Sequence, residues 1–380
     1  MNPRRILVTG TGGPLGSNLT RSLRAAPEKL ALFGTEANRY HLPLSLSDRT
    51  FLIPHSRDTE AYLAAIARIV ADEGIDLILP THPVEVRTIA THRRELGQVR
   101  LFLPATACIL AADSKWETFR ILRAAGIPVP DTFSIDREDD VRAAFAAIPT
   151  RPVWVRGSGA PGIGIGVASL PCREAAHAIA WIDHYRGWGG FIASRFLPGR
   201  NLTWCGLFQE GRLLAAQTRE RLEYVIPHVS PSGITGAPAV SRTIAYPQVR
   251  STGEAAVRAL PGTPHGIFFV DMTEDEAGQP RVTEINAGRF GTTIHFYTEA
   301  GCNFPYLAVQ LAFAETIAGA PFIDPIPPGV YWLRTLDCGP GLARDLVGPG
   351  KCTHRRLLPF WIWTASWWTC TWMDSGCAAN

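Results

Sequence analysis

The sequence predicts an α/β protein, a parallel sheet covered by helices on both faces followed by a longer mixed α+β region. Three observations carry this. Short apolar strands alternate with amphipathic helices through the first hundred residues, the βαβ grammar of a parallel sheet. A Gly-Ile-Pro-Val-Pro stop at 126–130 interrupts that pattern. Beyond it, strand-like runs are joined by short turns, which implies antiparallel pairing. At 380 residues the chain exceeds one ordinary compact core, so two or three units are expected.

Taken in order, a strand at 6–9 runs through a glycine turn into a helix at 15–26 and a strand at 30–33. A helix at 60–73, a strand at 76–80, a helix at 85–96 and a strand at 100–103 continue the alternation. A helix at 113–125 leads to the stop, and strands are expected at 153–156, 191–196, 202–209, 212–217, 266–272 and 281–285. The resulting division is 1–107, then 108–325 with a subdomain at about 127–195, then a tail at 326–380. The tail crowds Trp361, Trp363, Trp367, Trp368 and Trp372 together. Residues 357–373 carry no charge, yet they are fewer than the roughly 20 that a spanning helix needs. A membrane anchor is therefore not expected. A shifted reading frame or a scrambled C-terminus would give the same composition. Removal of everything after about Gly329 is expected to leave nucleotide binding intact.

A formal net charge of +3 gives no electrostatic reason to expect nucleic acid or an anionic membrane, which leaves small molecules as partners. The N-terminus lacks the apolar stretch of a signal peptide, so a cytoplasmic protein is expected. Eight scattered cysteines show no metal-ligand spacing and read as reduced thiols.

Gly10, Gly12, Gly13 and Gly16 follow a strand and open a helix, a geometry whose amides can receive a phosphate, and Glu36 stands where a ribose-binding acid would be expected. No tyrosine has lysine four residues later, so the proton-transfer pair of the short-chain dehydrogenases and epimerases is missing. The turn therefore reads as a tight strand-to-helix connection in a Rossmann-like domain without a dinucleotide. Thr81 and Glu85 lie at the carboxyl end of the sheet, where they face a substrate or simply cap a helix.

Four features in sequence order carry the chemistry. Lys115, in Ala-Asp-Ser-Lys, stands out because the only other lysines are Lys29 and Lys351. Arg156 precedes a run of Gly157, Gly159, Gly162, Gly164 and Gly166, which lets backbone amides approach phosphate oxygens and suits a lid. A Phe-Leu-Pro-Gly hinge starts at Phe196 and Leu197. Thr-Glu-Ile-Asn-Ala-Gly-Arg-Phe spans 283–290, and Glu284 and Asn286, two apart on a strand, point to one face where their oxygens can bind a hard cation.

In this order the motifs resemble the ATP-grasp superfamily, more narrowly its carbamoyl-phosphate-synthase-like and amino-acid ligase branches, from residue 1 to about 325. The resemblance implies a Rossmann-like pre-ATP-grasp domain followed by an ATP-grasp fold, two α+β subdomains clasping the nucleotide. It implies that Lys115 and Arg156 reach the phosphates from either side, that Phe196 and Leu197 read adenine through their backbone, and that Asp271 joins Glu284 and Asn286 around Mg2+, with Mn2+ as an alternative ion. Arg289 matches the arginine that holds the transferred phosphate or the substrate carboxylate, displaced by one position through Ala287 and Gly288. Arg195 and Asn201 stand where the family carries acids flanking the hinge. Arg219, Glu220 and Arg221 either touch the second substrate or form a solvated cluster.

The implied activity is an ATP-dependent carboxylate–amine ligase that forms an amide or peptide bond through an acyl phosphate, acting on small carboxylates and amines, with a homodimer compatible. Two alternatives stand beside it: an NAD(P)-dependent epimerase or reductase built on the glycine turn, and an ATP-grasp-like nucleotide-binding protein without turnover.

Overall fold

The structure is a computed structural model that describes residues 2–159, 168–234 and 236–335, and the backbone of 338–344 and 353–356. Gly162, Gly164, Gly166 and the five tryptophans of the tail lie outside the described residues.

The first unit comprises β1 (Arg5–Val8), α1 (Pro14–Arg24), β2 (Ala31–Glu36), β3 (Arg49–Leu52), α2 (Thr59–Glu73), β4 (Leu77–Leu79), α3 (Pro83–Thr91) and β5 (Arg100–Leu101). Its five strands are parallel in the order β3-β2-β1-β4-β5. Ile6, Leu7, Leu77 and Ile78 have no exposed surface, as strands covered on both faces require. β3 escaped the sequence reading because Arg49–Leu52 is a half-exposed edge strand without a buried apolar run.

Two helices, α4 (Thr106–Asp113) and α5 (Lys115–Ala124), lead to a second sheet. It is built from β6 (Thr132–Ile135), β7 (Val153–Gly157), β8 (Leu170–Cys172) and β9 (Phe191–Arg195), with α6 (Glu138–Ala147) and α7 (Ala175–His184) on it. The strand order is β6-β9-β7-β8, all antiparallel. Its core, including Val153, Val155, Ala178 and Ile182, is separate from the cores of the rest of the chain.

The third sheet starts from β10 (Asn201–Gln209), β11 (Arg212–Tyr224) and β12 (Pro238–Thr243). After α8 (Pro247–Ala259) come β13 (Gly266–Glu274), β14 (Pro280–Ala287), α9 (His295–Glu299), α10 (Phe304–Ala312), β15 (Phe322–Ile323), β16 (Val330–Thr335), β17 (Cys338–Arg344) and β18 (Thr353–Arg356). The order is β14-β13-β10-β11-β12-β16-β17-β18, with β15 alongside β11.

The position of β16 changes the expectation for the tail. It pairs with β12 through Ser241 and Trp332, and Trp332 is fully buried, 5.6 Å from the ring of Phe296. Sheet and core thus continue past 326, and a truncation after Gly329 would strip a strand and a core tryptophan from the domain. The sequence reading missed this because the tail's tryptophans show no period, whereas β16 itself alternates buried and half-buried positions. Among the described residues no helix is long and apolar enough to cross a membrane. Cys108, Cys172, Cys205 and Cys302 are buried free thiols.

Candidate active site

The site is assembled on one face of the third sheet, where register places side chains in rows. Glu284 on β14 lies directly across from Asp271 on β13, Asp271 across from Thr203 on β10, and Thr203 across from Arg219 on β11. Alternation along β14 brings Asn286 to the same face two residues on. The Thr203 hydroxyl donates to Asp271 Oδ1 at 2.9 Å, and Arg221 Nη1 lies 3.4 Å from Asp271 Oδ2.

Lys115 arrives as the first residue of α5. Ser114 caps that helix, its Oγ accepting from the Glu117 amide at 3.2 Å. The Lys115 amide donates to the Ser158 carbonyl at 2.8 Å, tying the helix start to the end of β7. Gly159 completes this junction: its φ is +94°, and a Cβ there would stand 2.1 Å from the Asp113 carbonyl oxygen, so no other residue fits. Lys115 Nζ, 4% exposed as a residue, lies 3.8 Å from Glu284 Oε2. Arg156 descends from β7, its Nη1 3.6 Å from the same oxygen, while its Nη2 donates to the Thr283 carbonyl. Arg289 turns back to donate to Asn286 Oδ1. Gly288, at φ +79°, supplies the bend between Asn286 and Arg289.

Charge and burial pull in opposite directions here. Burial alone would raise the Glu284 carboxyl, but Lys115, Arg156, Arg289 and Arg221 together hold it below its ordinary value. Burial lowers Lys115, with Glu284 opposing, and lowers Arg156 and Arg289 in the same way. Four cations thus surround two carboxylates, an excess that suits a polyanionic ligand.

Arg156, Thr203, Arg221, Asp271, Glu284, Asn286 and Arg289, but not Lys115, line a cleft of about 1420 Å3 between the second and third sheets. Phe196, Leu197 and Trp154 form one end, the Phe196 and Trp154 rings 6.1 Å apart. At the hinge Arg195 pairs with Glu276 at 2.8 Å, and Asn201 accepts from Thr273 Oγ1 at 3.2 Å. His82 and Arg87 of the first unit also line the cleft, Arg87 Nη1 3.1 Å from Asp113 Oδ2.

Sequence reading did not find His82, Arg87, Trp154, Thr203 or Tyr224, all of which line the cleft. Thr203 was legible in principle from its place in an alternating strand; the others depend on which units face each other. The cluster at Arg219, Glu220 and Arg221 splits by alternation. Both arginines line the cleft, while Glu220 turns to the opposite face and binds Arg242 Nη2 at 2.8 Å.

The N-terminal turn is closed. Glu36 Oε2 accepts from the Gly12 amide at 3.0 Å, and Oε1 from the Ala37 and Asn38 amides at 3.0 and 3.3 Å. A Cβ on Gly12 would stand 2.2 Å from the His41 carbonyl oxygen, so backbone already fills the space beside the turn. The acid that a ribose would need is spent on the Gly12 amide of the turn and on the two amides that follow Glu36 itself. Thr81 does not cap α3 either: its hydroxyl donates to the Thr9 carbonyl, while His82 and Glu85 form the cap. Glu85 accepts from Thr9 Oγ1 at 2.6 Å and Tyr62 OH at 3.2 Å, facing the core rather than a substrate.

The topology of a parallel unit followed by two antiparallel sheets around one cleft is that of the ATP-grasp fold. The L-amino acid ligase from Bacillus licheniformis superposes with a TM-score of 0.64 at 16% identity, over 92% of this chain and 82% of that one. N5-carboxyaminoimidazole synthetase from Staphylococcus aureus does so with 0.64 at 13%, over 91% and 85%. Biotin carboxylase from Campylobacter jejuni, in a complex with β,γ-ATP, gives 0.66 at 13%, over 90% and 75%. In sequence, the D-alanine–D-alanine ligase of Laribacter hongkongensis is 28% identical over 229 residues, 57% of this chain and 71% of that one. No family model matches the chain.

Proposed function

We propose that this protein is an ATP-dependent carboxylate–amine ligase that forms an amide or peptide bond through an acyl phosphate and releases ADP and phosphate. The observation that carries the reading is the convergence of Lys115, Arg156, Arg221 and Arg289 on Glu284 and Asp271. Phosphoryl transfer is chiefly positioning and charge neutralisation, and a nucleoside triphosphate brings about four negative charges. The relatives named above, including a D-alanine–D-alanine ligase and an L-amino acid ligase, support the same class.

In this reading the nucleotide lies between the second and third sheets, adenine against Phe196 and Leu197, phosphates toward Lys115 and Arg156. Residues 1–107 form the preceding domain and about 127–195 the mobile lid, while the ATP-grasp unit runs through β16. Gly157 and Gly159 stand at the start of the glycine-rich segment of that lid, whose backbone amides would approach the phosphates.

The donor set fits magnesium. The ion would rest on the carboxylates of Asp271 and Glu284, which lie across from each other in register, and on the Asn286 amide oxygen on the same face. Magnesium accepts a few hard oxygens and takes phosphate and water for the rest; manganese accepts the same donors. When bound, it would neutralise charge on the phosphate oxygens.

The substrate carboxylate oxygen attacks the terminal phosphorus and ADP leaves. An amine then attacks the acyl carbon, and inorganic phosphate departs. Arg289 holds the transferred group, and closure of the second sheet over the cleft excludes water from the acyl phosphate. Such a small-molecule ligase belongs in the cytoplasm and needs neither nucleic acid nor membrane.

Pooled carboxylates and amines with ATP and magnesium, followed by nucleotide chromatography, test the reading. ADP formed only when both pools are present is expected. AMP as the stoichiometric product would overturn the acyl phosphate. Affinity and turnover are measured separately, because Arg195 and Asn201 replace acids at the hinge and bear on binding first.

A further inference from the structure

We infer that Arg219 and Arg221 of the cleft lining, with Arg334 on the same sheet face, form a second anion-binding bay that holds a carboxylate or phosphate group of the substrate distinct from the group being activated. The inference rests on the ligase reading for its placement, but the bay itself stands on local observations.

Strand register brings the three arginines together. Arg221 pairs across from Ser241 and Ser241 from Trp332, so alternation puts Arg219, Arg221 and Arg334 on the same face of β11, β12 and β16. Arg219 is 5% exposed, yet no carboxylate lies within ion-pairing distance of it among the described residues. Its Nη1 donates to Thr293 Oγ1, and its guanidinium lies 5.9 Å from the Tyr297 ring centre. Arg334 has one carbonyl partner, Pro238, at 2.8 Å. Burial and the nearby Arg219 pull its guanidinium down to about 10.

Around them, buried polar atoms lack hydrogen-bond partners among the described residues: Nε of Arg219 and of Arg221, and the hydroxyls of Tyr224, Ser241 and Tyr297. A buried guanidinium without a counter-charge is costly, and so is each unsatisfied donor. One anion would answer both, since the fork of arginine donors matches a planar carboxylate or a phosphate.

The bay adjoins the phosphate end through Arg221, whose Nη1 lies 3.4 Å from Asp271 Oδ2, and Arg219 and Arg334 form its outer part. Arg219 stands on the third strand from Glu284, about 14 Å away at the usual strand spacing, and two strands or about 10 Å from Asp271. One substrate can therefore present a carboxylate for activation near Asp271 and a second anionic group to the arginines.

The test uses the full chain and calorimetric titration with succinate, and separately with inorganic phosphate, at constant ionic strength and saturating Mg-ADP. Saturable binding is expected, weakened at least tenfold in Arg219→Leu and severalfold in Arg334→Gln, partly retained in Arg219→Lys, with Mg-ADP affinity changed less than twofold. Preference for succinate assigns a carboxylate; preference for phosphate assigns a phosphate ester. Failure of both anions to bind beside the nucleotide would overturn the bay, as would unchanged affinity in the folded Arg219→Leu and Arg334→Gln proteins. Loss of anion binding in Lys115→Ala equal to that in Arg219→Leu would reduce the bay to the phosphate site and overturn it too. Should Mg-ADP not bind at all, the ligase reading fails, while Arg219-dependent and Lys115-independent anion binding would still uphold the bay.

Discussion

Two glycine-bearing turns follow strands in this chain, and they ended differently. At the first, Gly10 to Gly16, the Gly12 amide is taken by Glu36, the Thr11 and Gly13 amides by the Thr35 and Gly10 carbonyls, and the His41 carbonyl lies against Gly12. At the second, Arg156 to Gly159, the turn opens on a cleft where cations outnumber carboxylates. A glycine turn alone is therefore neutral about ligands. What decides is whether the protein's own acceptors have already satisfied it. The carboxyls beside the two turns repeat the contrast: burial raises Glu85 above its ordinary value, whereas four cations hold Glu284 below it.

The strongest test of the second region is Glu284→Gln, which keeps the shape and removes a charge that binds metal. ADP formation with both substrate pools is expected to fall on the order of a thousandfold, and turnover unchanged at low magnesium would break the contrast. Next in size, Lys115→Ala should weaken Mg-ATP binding about ten- to hundredfold, because a buried ammonium beside phosphate makes charge-assisted contacts that alanine cannot. Equilibrium dialysis on the folded variant measures it.

At the first turn, Glu36→Ala leaves the Gly12 amide without its acceptor. Denaturant unfolding should register about 1–3 kcal/mol of lost stability, with no change in nucleotide turnover. Saturable NAD(P) binding to the wild-type protein would refute the closed turn outright.

The smallest effect is in pH dependence. Glu85, raised above its ordinary 4.5, contributes stability that is fully present below that pH and lost as pH rises through its folded value. Glu284, depressed below 4.5, contributes stability present above that pH and lost as pH falls through its folded value. Relative to wild type and with rising pH, Glu85→Gln should therefore gain stability from pH 4.5 up to the folded Glu85 value, and Glu284→Gln should lose it from the folded Glu284 value up to pH 4.5. Denaturation midpoints moving the same way in both variants would contradict the assigned environments.

The sequence by itself determined the alternating first unit, the break at 126–130, and the order of Lys115, Arg156, Asp271, Glu284, Asn286 and Arg289, because periodicity and local chemistry are properties of contiguous residues. It also separated Glu284 and Asn286 onto one face, since alternation along a strand needs no tertiary knowledge. Only the tertiary structure decided which amides Glu36 would occupy, that Arg289 turns back onto Asn286, and that β16 carries Trp332 and Arg334 into the third sheet. Each of those depends on pairing between residues far apart in the chain, Gly12 with Glu36 or Ser241 with Trp332, and such pairings are fixed by register and packing rather than by any neighbour in sequence.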